Sequence, residues 1–172
     1  MNIIYKYLDY SIIDEDNVGV FPCNSVVKSN GELVMGAGNA KAVKEAFPEV
    51  PLVMGSAYLD KPELSTIMAK QFSSNEFKKA EWDDLVYGNK FLMTIQTIKS
   101  PISLLVTSLL EDSLRCFKDL AESLEFTIKK DLTFHIPMPA VGKGGLEFKK
   151  VKSLINEIGF GSNFIFYYGG KL

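Results

Sequence analysis

Short apolar runs rich in β-branched and aromatic residues alternate along this chain with stretches of helical period, and no other feature narrows the fold as far. Ile3–Leu8 and Val18–Cys23 read as strands. Ala40, Val43, Ala46 and Phe47 then recur at helical spacing until Pro48 stops the pattern. Phe91–Ile98 reads as a buried strand. After it, Leu110, Leu114, Phe117, Ala121 and Leu124 mark one face of an amphipathic helix, with Glu111, Arg115, Lys118 and Glu122 on the wet side. Leu132, Phe134, Ile136 and Met138 alternate with Thr133 and His135, the period of a strand. Phe148, Val151, Leu154, Ile155 and Ile158 mark another helix, and Asn163–Tyr168 a final strand. Alternating strands and helices imply an α/β layered fold with a mainly parallel sheet. With 172 residues and no repeat, linker or low-complexity tract, one domain spanning 1–172 is expected. The pattern is weakest over Leu52–Asn89, where Asp60–Lys61–Pro62 is expected to open a helix, and Phe77 and Trp82 to cap the core.

In such sheets, ligands bind beyond the carboxyl ends of the strands, so the loops leaving those ends matter most. Three stand out: the polar loop from Asn24 into "MGAG", the segment around Lys99, and the glycine-rich stretch Ala140–Phe148. Gly36, Gly38 and Ala40 crowd the start of a helix, although glycine within a helix costs about 1 kcal/mol relative to alanine. Two readings fit them. One is a tight strand-to-helix turn. The other is close approach of an anion, typically phosphate, to the exposed N–H groups of the first turn. The familiar glycine motifs fail. A dinucleotide fingerprint would need a small residue where Lys41 stands, and a P-loop would need glycine at Pro137 and a hydroxyl at Gly144.

Bulk composition excludes several classes. The net charge of −2 argues against a general nucleic-acid or membrane-surface binder. No apolar run approaches the ~18 residues needed to cross a bilayer. Two cysteines, Cys23 and Cys116, and a lone His135 form no metal-ligand spacing. The expectation is a cytoplasmic monomer that needs no metal or cofactor and does not touch membranes.

"PCN…VMGAGNAKAVKEAFPEV" together with "IPMPAVGKGGLEFKKVKSLI" resembles the macro domain family of ADP-ribose-binding modules. The likeness is greatest to the branch holding terminal ADP-ribose protein glycohydrolases, ADP-ribose-1''-phosphate phosphatases and antitoxin macro domains that remove ADP-ribose from DNA. The resemblance implies a three-layer α/β/α fold around a central mixed, mainly parallel sheet. It implies that Asp9 accepts the adenine amino group and that Asn24 lies near the distal ribose. Met35, Gly36, Ala37, Gly38 and Ala40 would cradle the pyrophosphate. Gly142, Gly144 and Gly145 would form a second phosphate-and-ribose loop, with Lys143 either a phosphate contact or a solvated loop lysine. Tyr167 or Tyr168 would pack near the adenine. Lys99 matches the lysine that attacks the anomeric carbon in the glycohydrolases, and Glu147 stands where the family has aspartate, with Phe148 in place of tryptophan and the loop a little shorter.

Each assignment has a plainer counterpart: Lys99 a lysine pointing to water, Glu147 an acid suiting a helix start, Asn24 a turn residue bonding its own backbone. His135 is expected to be a satisfied structural histidine and Cys23 a small buried residue. Two functions follow from the resemblance. One is an enzyme hydrolysing a bond at the distal ribose of ADP-ribose-1''-phosphate or of an ADP-ribosylated protein or nucleic acid, with Lys99, Glu147 and Asn24 at the chemistry. The other is an ADP-ribose reader without turnover.

Overall fold

A computed structural model of the chain describes residues 1–71, 76–97 and 107–170. Within them, strands β1 (Asn2–Ile4), β2 (Asn17–Cys23), β3 (Met68–Gln71), β4 (Phe77–Lys79), β5 (Lys90–Gln96), β6 (Thr133–Pro137) and β7 (Phe164–Tyr167) form one sheet. The strand order is β1-β7-β6-β2-β5-β3-β4. The first five in that order run parallel, and β3 pairs antiparallel with both β5 and β4. The sheet is therefore mixed and mainly parallel, as expected.

Helices cover both faces. α1 (Gly38–Ala46) and α2 (Val50–Asp60) lie on one side, over a core that includes Phe21, Met54, Tyr58 and Leu92. α3 (Thr107–Ile128) and α4 (Phe148–Ile158) lie on the other, over Val20, Met93, Phe134 and Phe166. The layers are α/β/α. Leu110, Leu114, Phe117, Ala121 and Leu124 of α3 are all 0% exposed, so the apolar stripe is the face laid on the sheet. Phe134 and Phe164 stack at 4.9 Å between ring centres, and the edge of Phe117 meets both. α4 ends on Gly159, whose left-handed backbone (φ 73°) lets its N–H return to the Ile155 carbonyl.

The structure differs from expectation in three places. β1 stops at Ile4, not Leu8, because its partner β7 ends at Tyr167 and offers no further pairing. Tyr5–Leu8 instead leaves the sheet as a strap. Asp60 closes α2 and does not open a helix; the Lys61 N–H caps the Ala57 carbonyl and Pro62 falls in a turn. α2 starts two residues after Pro48, with Pro51 near its start, where a missing N–H is harmless. Phe77 is buried as expected, whereas Trp82 is 49% exposed on a short 3₁₀ turn.

Candidate functional site

Strands β2, β5, β6 and β7 run parallel and end on the same edge of the sheet, where the segments following β2 and β6 approach each other. β2 runs into Asn24, whose half-buried amide is committed to its own loop: Nδ2 donates to the Val34 carbonyl (3.0 Å) and Oδ1 accepts from the Val26 N–H (2.8 Å). This staple brings the chain back through buried Leu33 and Met35 to the start of α1. Gly36, Ala37 and Gly38 are exposed there, and Ala40 packs inward. Ala37 occupies the N-cap position, so among the described residues the first N–H groups of α1 have no side-chain cap bond. Gly38 needs its glycine for backbone reasons, with φ 57°. Gly36 does not. Its φ lies outside the left-handed region, and a Cβ built on it would meet nothing within 4 Å.

The second glycine loop leaves β6 through Met138 and Ala140. Ala140 adopts φ 61°, a left-handed conformation that costs an L-residue about 1–2 kcal/mol, and its carbonyl receives the Leu146 N–H at 3.0 Å. That bond closes a ring around the 3₁₀ turn Gly142–Gly144, with Gly145 in the left-handed region at φ 79°. Glu147 follows at the N-cap of α4, exposed and without a side-chain cap bond. Lys99 and the Lys143 side chain lie outside the described residues.

A cavity of about 160 Å³ lies between the first turn of α1 and the second loop: Asn39 faces Val141 and Gly142, with Tyr167 and Tyr168 closing one side and the Tyr7–Leu8 strap another, while Met35, Gly36, Ala37, Gly38 and Ala40 are not among its lining residues. The strap also walls an open groove of about 560 Å³ that contains Asp9 and is floored by Ala42 and Phe47. Asp9 caps the 3₁₀ turn Tyr10–Ile12, its Oδ1 accepting the Ser11 N–H at 2.9 Å. That bond holds its carboxyl below the usual carboxylate range. Tyr168 packs on Phe148 at 4.4 Å between ring centres. Gly169 admits the Tyr7 ring, since a Cβ there would lie 2.5 Å from ring carbons. Asn39, Tyr7 and Leu8 were not singled out from the sequence. Asn39 had a signal, since it directly follows the glycines; Tyr7 and Leu8 had none, because their position depends on where β1 stops.

Tyr167 turns its hydroxyl away from the loops, 2.9 Å from His135 Nδ1, while His135 Nε2 lies 2.8 Å from Asn17 Oδ1. Asn17 Nδ2 donates to Asp14 Oδ1, which fixes the amide so that its oxygen faces the ring. His135 therefore carries its proton on Nε2 and accepts from Tyr167 at Nδ1. Both nitrogens are satisfied, as expected of a structural histidine, and burial lowers its pKa. A lowered pKa means that the folded state binds the proton less readily than the unfolded chain. The stabilisation is fully present above the ordinary value of 6.5 and is lost as pH falls below it. Because the chain has one histidine, the midpoint of urea unfolding should fall between pH 7 and 5 by more in the native chain than in His135→Asn. Parallel curves would sink this assignment.

Cys23 is buried 3.3 Å from the Tyr58 hydroxyl, and burial pushes its thiol up to about 11, which leaves it protonated and unreactive at neutral pH. Among the described residues, no helix is long and apolar enough to cross a membrane.

No protein-family model matches the chain, and no curated protein matches it in sequence. Solved structures do match it in shape. The macrodomain of Thermus aquaticus DarG superposes with a TM-score of 0.70 at 18% identity, over 97% of this chain and 96% of that one. Thermosipho africanus DarTG in complex with ADP-ribose gives 0.66 at 21% identity, over 92% of this chain and 40% of that one. The macrodomain of Mycobacterium tuberculosis DarG gives 0.60 at 18%, over 98% of each. At these identities the likeness is one of fold: the chain has the macrodomain fold.

Proposed function

We propose that the chain binds ADP-ribose across the cavity and its adjoining groove, and hydrolyses a bond at the distal ribose. The observation that carries this reading is Gly36, a glycine that neither its backbone conformation nor its packing requires. It stands beside helix N–H groups that have no side-chain cap, three residues before Asn39, which faces the second glycine loop across the cavity. An anion lying against the backbone accounts for all three. The ADP-ribose complex of a protein with this fold supports that choice of ligand. In this reading Asp9 takes the adenine in the groove, Tyr167 and Tyr168 pack beside it, and Gly36–Ala40 and Gly142–Gly145 hold the pyrophosphate and distal ribose.

For turnover, the Lys99 amine attacks C1'', the bond from C1'' to the leaving group breaks, and the leaving group takes the amine's proton. Water then releases ADP-ribose and restores the lysine, with Glu147 moving the protons. The two loops of N–H donors stabilise the charge that develops. A second reading, a reader without turnover, draws support from Asn24, whose amide is already engaged by its own loop.

The test is calorimetric titration with ADP-ribose beside a panel of ADP-ribose-1''-phosphate, an ADP-ribosylated acidic peptide and an ADP-ribosylated oligonucleotide. Binding with turnover that Lys99→Ala abolishes, at unchanged affinity, is the expected result. Binding without turnover makes the chain a reader. Absence of binding overturns both.

A further inference from the structure

The chain's one tryptophan plays no part in the ligand cleft. Trp82 projects from the turn Trp82–Asp84 on the α3 side of the molecule. That turn is held with unusual firmness. Asp84 forms an ion pair with Lys70, which is 0% exposed, and its carbonyl accepts from the same ammonium at 3.1 Å. Glu81 and Asp84 add a reciprocal capping box. Removing an ammonium group from water is costly, and here it anchors a surface turn that carries a half-exposed indole. A turn fixed in advance loses little backbone freedom on meeting a partner.

Across a groove of about 640 Å³, the facing bank is the second half of α3, with Asp119, Glu122 and Phe126 toward the indole. Phe126 is 87% exposed and lines the groove with the half-exposed Trp82, so two large aromatic side chains share one exposed patch. Acidic groups flank both banks: Glu81 and Asp83 beside the indole, Asp119 and Glu122 on the helix. Among the described residues, no lysine or arginine lines the groove. Lys118 and Lys79 approach from outside and pair with Glu122 and Glu81. The groove shares no lining residue with the ligand cavity.

We propose that this groove docks a basic, arginine-bearing polypeptide segment of a partner protein. Charge complementarity selects that occupant. A guanidinium stacks on the Trp82 face and bonds to carboxylate in its own plane, which suits an aromatic residue facing two acids. A neighbouring apolar side chain of the segment covers Phe126. Nucleic acid is disfavoured, since its phosphates would face carboxylates on both banks.

Because Trp82 is the sole tryptophan, its fluorescence reports the groove directly. The probe is a nonapeptide of Gly, Arg and Leu, compared with versions in which Lys or Glu replaces every Arg. The expected result is saturable quenching by the Arg peptide, weaker binding of the Lys peptide and none of the Glu peptide. Peptide anisotropy should show affinity falling by about tenfold or more in Phe126→Ser and in Asp119→Lys. Both positions are exposed and leave the fold and ADP-ribose affinity intact. Equal affinity in the variants would mean diffuse attraction to an acidic protein and overturn the proposal. So would absence of saturable binding, or a fluorescence change that tracks protein concentration without peptide, the mark of a second copy in the groove.

Discussion

Gly36→Glu is expected to weaken ADP-ribose binding by at least about 100-fold, or about 2.7 kcal/mol, while leaving the melting temperature where it was. The two halves of that result have separate causes. Stability is spared because φ at Gly36 lies outside the left-handed region and the space around its missing Cβ is empty. A carboxylate beside the free N–H groups of α1 is even favourable in the empty protein, by about 0.3–1 kcal/mol. Binding is lost because the same carboxylate occupies and repels the place of the diphosphate. Gly38→Glu is a less clean experiment. With φ at 57°, any side chain there carries about 1–2 kcal/mol of strain, so lost affinity mixes with lost stability. If Gly36→Glu binds ADP-ribose as the native chain does, the glycine loop is not the diphosphate cradle, and the proposed function fails at its central residue.

The parts of this molecule that were legible in advance are those where one physical cause decides the residue. α3 must lay one stripe on the sheet, and from Leu110 to Leu124 its buried face is apolar except for Ser113. β2 and β5 are covered on both faces, and their near-continuous apolar runs say so. The glycine loops were legible because glycine's lack of a side chain is itself the signal. α2 obeys no single cause. Leu52 and Leu59 are exposed while Gly55 and Ala57 are buried, so size and polarity do not follow burial and the helical period is blurred. Tyr7 reads as a strand residue, and only the early end of β7 sends it to the cleft. Asn24 shows a different limit. The residue type was a good signal of a structured loop, but its two hydrogen bonds depend on where Val26 and Val34 return.

Gly55→Ala tests that opaque region and its link to the site. On propensity alone, alanine in the middle of α2 should stabilise the helix by about 1 kcal/mol. The opposite is expected, a net loss of about 2 kcal/mol, because overpacking typically costs about 1–3 kcal/mol and sometimes more. A Cβ on Gly55 would overlap the Gly31 carbonyl oxygen and lie 2.7 Å from the Leu33 nitrogen. Those are backbone atoms and cannot rotate aside. They are also held in place, since the Leu33 N–H donates to the Pro51 carbonyl of α2 at 2.8 Å. The loop must therefore move as a unit, and it continues through Leu33 and buried Met35 into Gly36. ADP-ribose affinity should fall with stability even though Gly55 lines neither the cavity nor the groove. Ser56→Ala is the control, an exposed neighbour on the same helix, expected to stay within about 0.5 kcal/mol of the native chain. Should Gly55→Ala match that control in urea unfolding, the packing of α2 against the loop is loose. The cradle at Gly36 would then owe its shape to the Asn24 staple alone.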